Sequence, residues 1–207
     1  MKISLRNTLL SPIEAGNNPR ITKGGISMTL LISAVALLAA PRLMPAGYSW
    51  LTHTTSESAA QGLAGAWLAR LGFVLFGLAV IWLAAAKTAV WARTAVWFHL
   101  VFGVCMVATA AFAHHPWLEG VPVDPVEDFL HSLTATMMGF AFAFGAMARL
   151  LQREADDRVG RVWDVTAVAA ATFLPMLMGA QPDIIGLLQR AMFAVAYGWY
   201  VREALQK

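Results

Sequence analysis

Charge is scarce in this chain: Asp, Glu, Lys and Arg make up 13% of its 207 residues, against 58% hydrophobic residues and a mean hydropathy of +0.61. A soluble domain carries roughly 25% charged side chains. The composition therefore excludes an ordinary water-soluble globule and points to an integral membrane protein. Cysteine is nearly absent. Cys105 stands alone within an apolar run, which excludes an intramolecular disulfide or a multi-thiolate metal centre in one chain and leaves it the role of apolar filler. No hydrophilic stretch is long enough to fold by itself, so one bundle is the unit, with an N-terminal segment over 1–25, a membrane domain over 26–204 and a tail over 205–207. The net charge of +3 does not mark a nucleic-acid partner, because the basic residues are spread over short loops rather than clustered with aromatics.

A hydrocarbon core about 30 Å thick requires roughly 20 apolar residues per helix. On that scale the chain resolves into six spans: Ile26 to Met44, Ala66 to Ala86, Ala92 to Ala113, Asp128 to Leu150, Val162 to Gly179 and Ile184 to Ala204. The fold class is an all-α bundle of six transmembrane helices. The first span is expected to be retained, because Ala39-Ala40 is followed by Pro41, a poor context for signal-peptide cleavage.

Lys2, Arg6, Arg20 and Lys23 precede the first span, Lys87 and Arg93 separate the second and third, and Arg149, Arg153, Arg158 and Arg161 separate the fourth and fifth. Arg202 and Lys207 close the chain, whereas the intervening loops hold only Arg42. The positive-inside rule thus predicts two cytoplasmic termini and a multi-pass protein of the cytoplasmic (inner) membrane.

Polar chemistry is expected to converge on the outer face. At about 1.5 Å per residue, Arg70 and Arg190 lie roughly 6 and 9 Å inside their spans, where an unpaired charge is costly. They suit an anion cradle with Gln189, Glu57 and Asp124, or else pair with Glu57, Asp124, Asp128 or Asp183, or snorkel. His131 follows Asp128 by three residues and Glu127 by four, so the three can share a helix face; a hydroxyl such as Ser56 would complete a hydrolase-like trio of His131, Asp128 and Ser56. The quieter role for Ser56 or Ser58 is to cap a helix beginning at Ala59, and for His131 a structural hydrogen bond.

A zinc site from His53, His114 or His115, His131 and a carboxylate is geometrically conceivable, but no spacing specifies it. His114 and His115 are adjacent, and neighbours on a helix point about 100° apart. His99 and His131 lie at different depths, which excludes paired haem ligands, and the last span lacks a lysine for retinal, so no cofactor is expected. Gly62, Gly65, Gly72, Gly77, Gly139 and Gly145 read as sites of close helix packing, and Phe140, Phe142 and Phe144 as packing or lipid-facing residues.

Ser56-Glu57-Ser58 followed by Gly72-Phe73-Val74-Leu75-Phe76-Gly77, and the run from Phe112 through Pro116, Pro122 and Asp124 to His131, resemble motifs of the DUF998 family of six-span prokaryotic membrane proteins. Thr55 stands where that family has isoleucine, and Ala59-Ala60 replace its Leu-Gly pair. The resemblance implies the six-span architecture and directs attention to Ser56, Asp124 and His131, without implying a reaction.

The leading expectation is a protein that recognises a lipid-like or anionic amphipathic ligand at its extracytoplasmic face, with membrane lipids as its partners. The alternatives are an intramembrane hydrolase or transferase using His131 with a nearby carboxylate, and a structural subunit without a ligand.

Overall fold

The computed structural model describes residues 19–206. Lys2, Arg6 and Lys207, which contribute to the expected orientation, lie outside the described residues, as does most of the 1–25 segment.

Six helices carry the fold: α1 (Pro19–Ala39), α2 (Ala66–Ala86), α3 (Arg93–Ala111), α4 (Pro125–Gln152), α5 (Arg158–Ala180) and α6 (Ile185–Leu205). Among the described residues there are no strands, and six helices are long and apolar enough to cross a membrane. Each packs against its neighbour in sequence, and α1 closes the ring against α6. Alternating direction places the start of α1, the α2–α3 and α4–α5 connections and the end of α6 together. We call this the terminal face and the opposite end the distal face.

The helix boundaries follow from local chemistry. Asp124 caps α4, its Oδ1 accepting from Val126 N at 2.8 Å and Glu127 N at 3.3 Å, with Pro125 in the first turn where a missing N–H costs nothing. Asp157 caps α5 through Gly160 N at 2.9 Å. Both helices therefore begin several residues before the apolar runs that announce them.

The expected serine cap does not form. Ser56 precedes only a short 3-10 turn, Glu57–Ala59, and caps it with no side-chain bond; α2 starts at Ala66. The chain turns between them at Gly62, whose φ of +70° suits only a residue without a Cβ. The actual capping device is Thr54-Thr55-Ser56-Glu57. Thr54 Oγ1 accepts from Glu57 N at 3.1 Å while Glu57 Oε2 accepts from Thr54 N at 2.5 Å, the reciprocal pattern of a capping box.

The core is aromatic: Phe73, Phe76, Phe102, Phe142, Trp199 and Tyr200 are buried in one cluster. Small residues let the helices approach, and a Cβ at Gly77 would lie 2.5 Å from the Gly103 carbonyl. Gly139 departs from that role, with nothing within 4 Å of where its Cβ would be. The Phe140, Phe142 and Phe144 series divides by helical period, Phe142 facing the core and the other two outward. Together with Leu31, Val35, Trp97 and Val104, they form an apolar exterior suited to lipid rather than water.

Candidate functional site

The tract from Thr54 to Ser58 is not a surface loop: Thr54, Thr55, Ser56 and Ser58 are all buried. α6 holds it down. Gly186 N donates to the Leu51 carbonyl at 2.8 Å, and a Cβ at Gly186 would meet the His53 carbonyl, so only glycine permits this approach. Arg190 then donates to the carbonyls of Trp50, His53 and Gly186 at 2.8–2.9 Å and to Tyr48 Oη at 2.6 Å, with its guanidinium 4.7 Å from the centre of the Trp50 ring. Gln189 accepts from Thr55 N at 2.6 Å and donates to Ser56 Oγ at 3.4 Å.

Arg70 behaves similarly from α2, donating to the Ala59 carbonyl at 3.0 Å and the Ala60 carbonyl at 3.2 Å. Neither arginine forms an ion pair among the described residues. Both neutralise orphan carbonyls of the first distal loop, an outcome that charge-pairing logic on the sequence does not anticipate.

The expected trio of His131, Asp128 and Ser56 is not joined by hydrogen bonds. The His131 ring is buried, and Nδ1 donates to the Phe112 carbonyl at 2.8 Å and the Thr109 carbonyl at 3.2 Å. Two carbonyl acceptors fix the proton on Nδ1. Asp128 instead accepts from His115 N at 2.8 Å and His115 Nδ1 at 3.0 Å, and Glu127 accepts from Ala113 N at 2.8 Å. Residues three or four apart on a helix can share a face, but here the α3–α4 loop lies over α4 and takes both carboxylates.

Gln61 is the hub that the sequence reading missed. Its backbone N donates to the His114 carbonyl, its Nε2 to the carbonyls of Ala113 and Asp124, and its Oε1 accepts from Asp124 N at 2.7 Å. Only its position in a polar run before α2 signalled it.

Two cavities divide the expected site residues. One, of about 530 Å³, lies among α2 to α6, with Ser56 and Gln189 at its distal end and walls that include Phe73, Met106, Gly139, Met176 and Phe193. α5 accounts for its existence: its buried residues are Gly160, Asp164 and Ala167, all in the terminal half, so the half bearing Pro175 stands away from the bundle. Pro175 lacks the N–H that would bond the Ala171 carbonyl, and both residues line this cavity. The second is a polar cleft of about 690 Å³ beside Gln61, Arg70, Asp124 and Glu127. Arg190, Glu57 and His131 do not line the first cavity.

The terminal face holds a denser cluster, of which the sequence pattern engaged only the arginines, for topology. Arg153 binds Asp164, Glu203 and, at 2.8 Å, Asp157; Glu203 is also met by Arg149 at 3.3 Å and by Arg202 at 3.0 Å. Asp164 and Glu203 are fully buried. Burial opposes the Arg153 charge, but the hydrogen bonds its guanidinium donates to Asp164 and Glu203 outweigh it and hold its pKa above the ordinary arginine range. Three cations facing three carboxylates clamp α4, α5 and α6 where α5 packs closely. The readable signal was a carboxylate within each of the last two spans.

The arrangement defines a six-helix membrane protein with a capped distal face, an apolar internal cavity and an ionic clamp. The DUF998 family model, described as a protein of unknown function, matches residues 28–205, and the chain belongs to that family. No curated protein and no solved structure matches it.

Proposed function

We propose that this protein binds a lipid-like amphipathic molecule, its apolar part in the cavity beside α5 and its head at Ser56 and Gln189. The supporting observation is the lining: methionine and phenylalanine walls in which the Thr109, Thr136 and Thr172 hydroxyls are tied to carbonyls of their own helices, with Ser56 and the Gln189 amide at the distal end, in a volume within the roughly 300–1,000 Å³ of ligand sites. An uncharged, hydrogen-bonding head suits this end better than a phosphate, because Arg70 and Arg190 are committed to loop carbonyls and lie outside the lining. The chain sits in the cytoplasmic membrane with both termini inside, a reading supported by Lys87, Arg93, Arg149, Arg153, Arg158, Arg161 and Arg202 at the terminal face.

Gly139 offers the test. Gly139→Leu places a side chain in the cavity where no atom lies within 4 Å of the new Cβ. Wild-type protein purified in detergent is expected to carry a stoichiometric amphipath detectable by mass spectrometry of the organic extract, and the equally well-folded variant to lack it. Equal recovery from both, or none from either, refutes the reading.

A further inference from the structure

His114 and His115 follow the end of α3 in a non-helical connection, so the angular separation of neighbours on a helix does not apply to them. Their rings lie 4.2 Å apart, and the ligating atoms of His114, His115 and Asp128 all fall within 4.8 Å of one another. We propose that these three residues form a binding site for a divalent transition metal at the distal face, with Zn²⁺ as the fitting ion.

The chemistry favours this class. Two imidazoles and a carboxylate suit Zn²⁺ and its neighbours, whereas Ca²⁺ and Mg²⁺ require shells of oxygen. Ligands about 2.1 Å from one ion are at most about 4.2 Å apart, so small side-chain rotations close the set.

The frame is already built. The Ala113 N–H is held by Glu127, the Ala113 carbonyl by Gln61 Nε2, the His114 carbonyl by Gln61 N, and the His115 N–H by Asp128 Oδ1 at 2.8 Å. That last bond orients the carboxylate in the way second-shell donors orient metal ligands. Metal entry displaces only the His115 Nδ1 contact with Asp128 Oδ2 and the His114 Nδ1 contact with the His115 carbonyl. All three side chains are partly exposed, which gives an ion access from solution and leaves a coordination position open. The His131 ring meets His114 edge-on at 5.2 Å, but its Nδ1 is committed to carbonyls and is not counted as a ligand.

The test is Co²⁺ and Zn²⁺ titration of the tag-free protein in detergent. Wild type is expected to take up one Co²⁺ per chain with the intense visible absorption of a four- or five-coordinate site, and Zn²⁺ to displace it. His115→Gln and Asp128→Asn should each weaken uptake at least about tenfold, while Glu119→Gln, an exposed acid of the same loop, leaves it unchanged. Absence of saturable uptake by wild type overturns the proposal. So does uptake that survives the double substitution His114→Ala, His115→Ala in protein that still elutes as wild type.

Discussion

Trp199 Nε1 on α6 donates to Asp164 Oδ1 on α5 at 2.7 Å, and both side chains are fully buried. The same carboxylate accepts from Arg153, so one group joins the indole to the ionic clamp. Removing one member of a buried pair leaves its partner charge uncompensated, at a cost of about 3–5 kcal/mol, whereas a single hydrogen bond to a charged group contributes about 1.5–3 kcal/mol. Asp164→Asn is therefore expected to lower the melting temperature in detergent more than Trp199→Phe does. The reverse order, read by thermal unfolding of purified protein, would place the weight on the indole.

The His99 ring is confined by Trp199, stacked at 4.7 Å, by Trp91 at 5.0 Å and by a 2.9 Å hydrogen bond between its Nδ1 and Tyr200 Oη. A Cβ at Gly145 would meet this ring at 2.7 Å. With no direction in which the ring can yield, Gly145→Ala should cost about 1–3 kcal/mol, the usual range for overpacking a tight core. Gly139→Ala, six residues earlier on the same helix, has an empty surrounding and should be neutral in the same melting assay.

These two glycines show what the sequence can and cannot carry. Span number and the Ala66–Ala86 helix followed from apolar run length, because the bilayer imposes that length on any sequence. The roles of Gly139 and Gly145 did not follow, because neighbours across helices are invisible to periodicity. The distal site was legible in residue type and depth but not in partners. Arg70 and Arg190 are half-buried and hydrogen-bonded, as their cost requires, yet their acceptors are loop carbonyls, which carry no signature in a side-chain pattern. His131 drew attention by its depth in the fourth span, and its ring is buried there. Its carboxylate neighbours were drawn away by His115 and Ala113, whose loop course depends on Gln61 more than fifty residues earlier.

Asp157 lies at the α4–α5 corner, where the Gly160 N–H and then Arg153 and Arg202 hold its carboxyl below the ordinary carboxylate range. A depressed folded-state value means stability that is present above the unfolded value, about 3.9, and lost as pH falls through the lower folded value. The melting temperature of the wild type should thus decline below about pH 4. Asp157→Asn should melt lower at neutral pH and show a shallower decline. Parallel profiles for the two proteins would remove Asp157 from the acid response.

Sidedness is open to a direct labelling test, because Cys105 is the single cysteine of the chain and is buried. With Cys105→Ala as background, a cysteine can replace Glu119 in the distal α3–α4 loop or Glu154 in the terminal α4–α5 connection, both exposed. Basic residues flank Glu154 on each side, whereas the loop containing Glu119 has none between His114 and Glu127. The excess of Lys and Arg in cytoplasmic loops therefore predicts that an impermeant maleimide labels the Glu119→Cys protein in intact cells. The Glu154→Cys protein should be labelled only after the membrane is opened. The opposite pattern would invert the orientation and move the proposed metal site and the head end of the cavity to the cytoplasmic side.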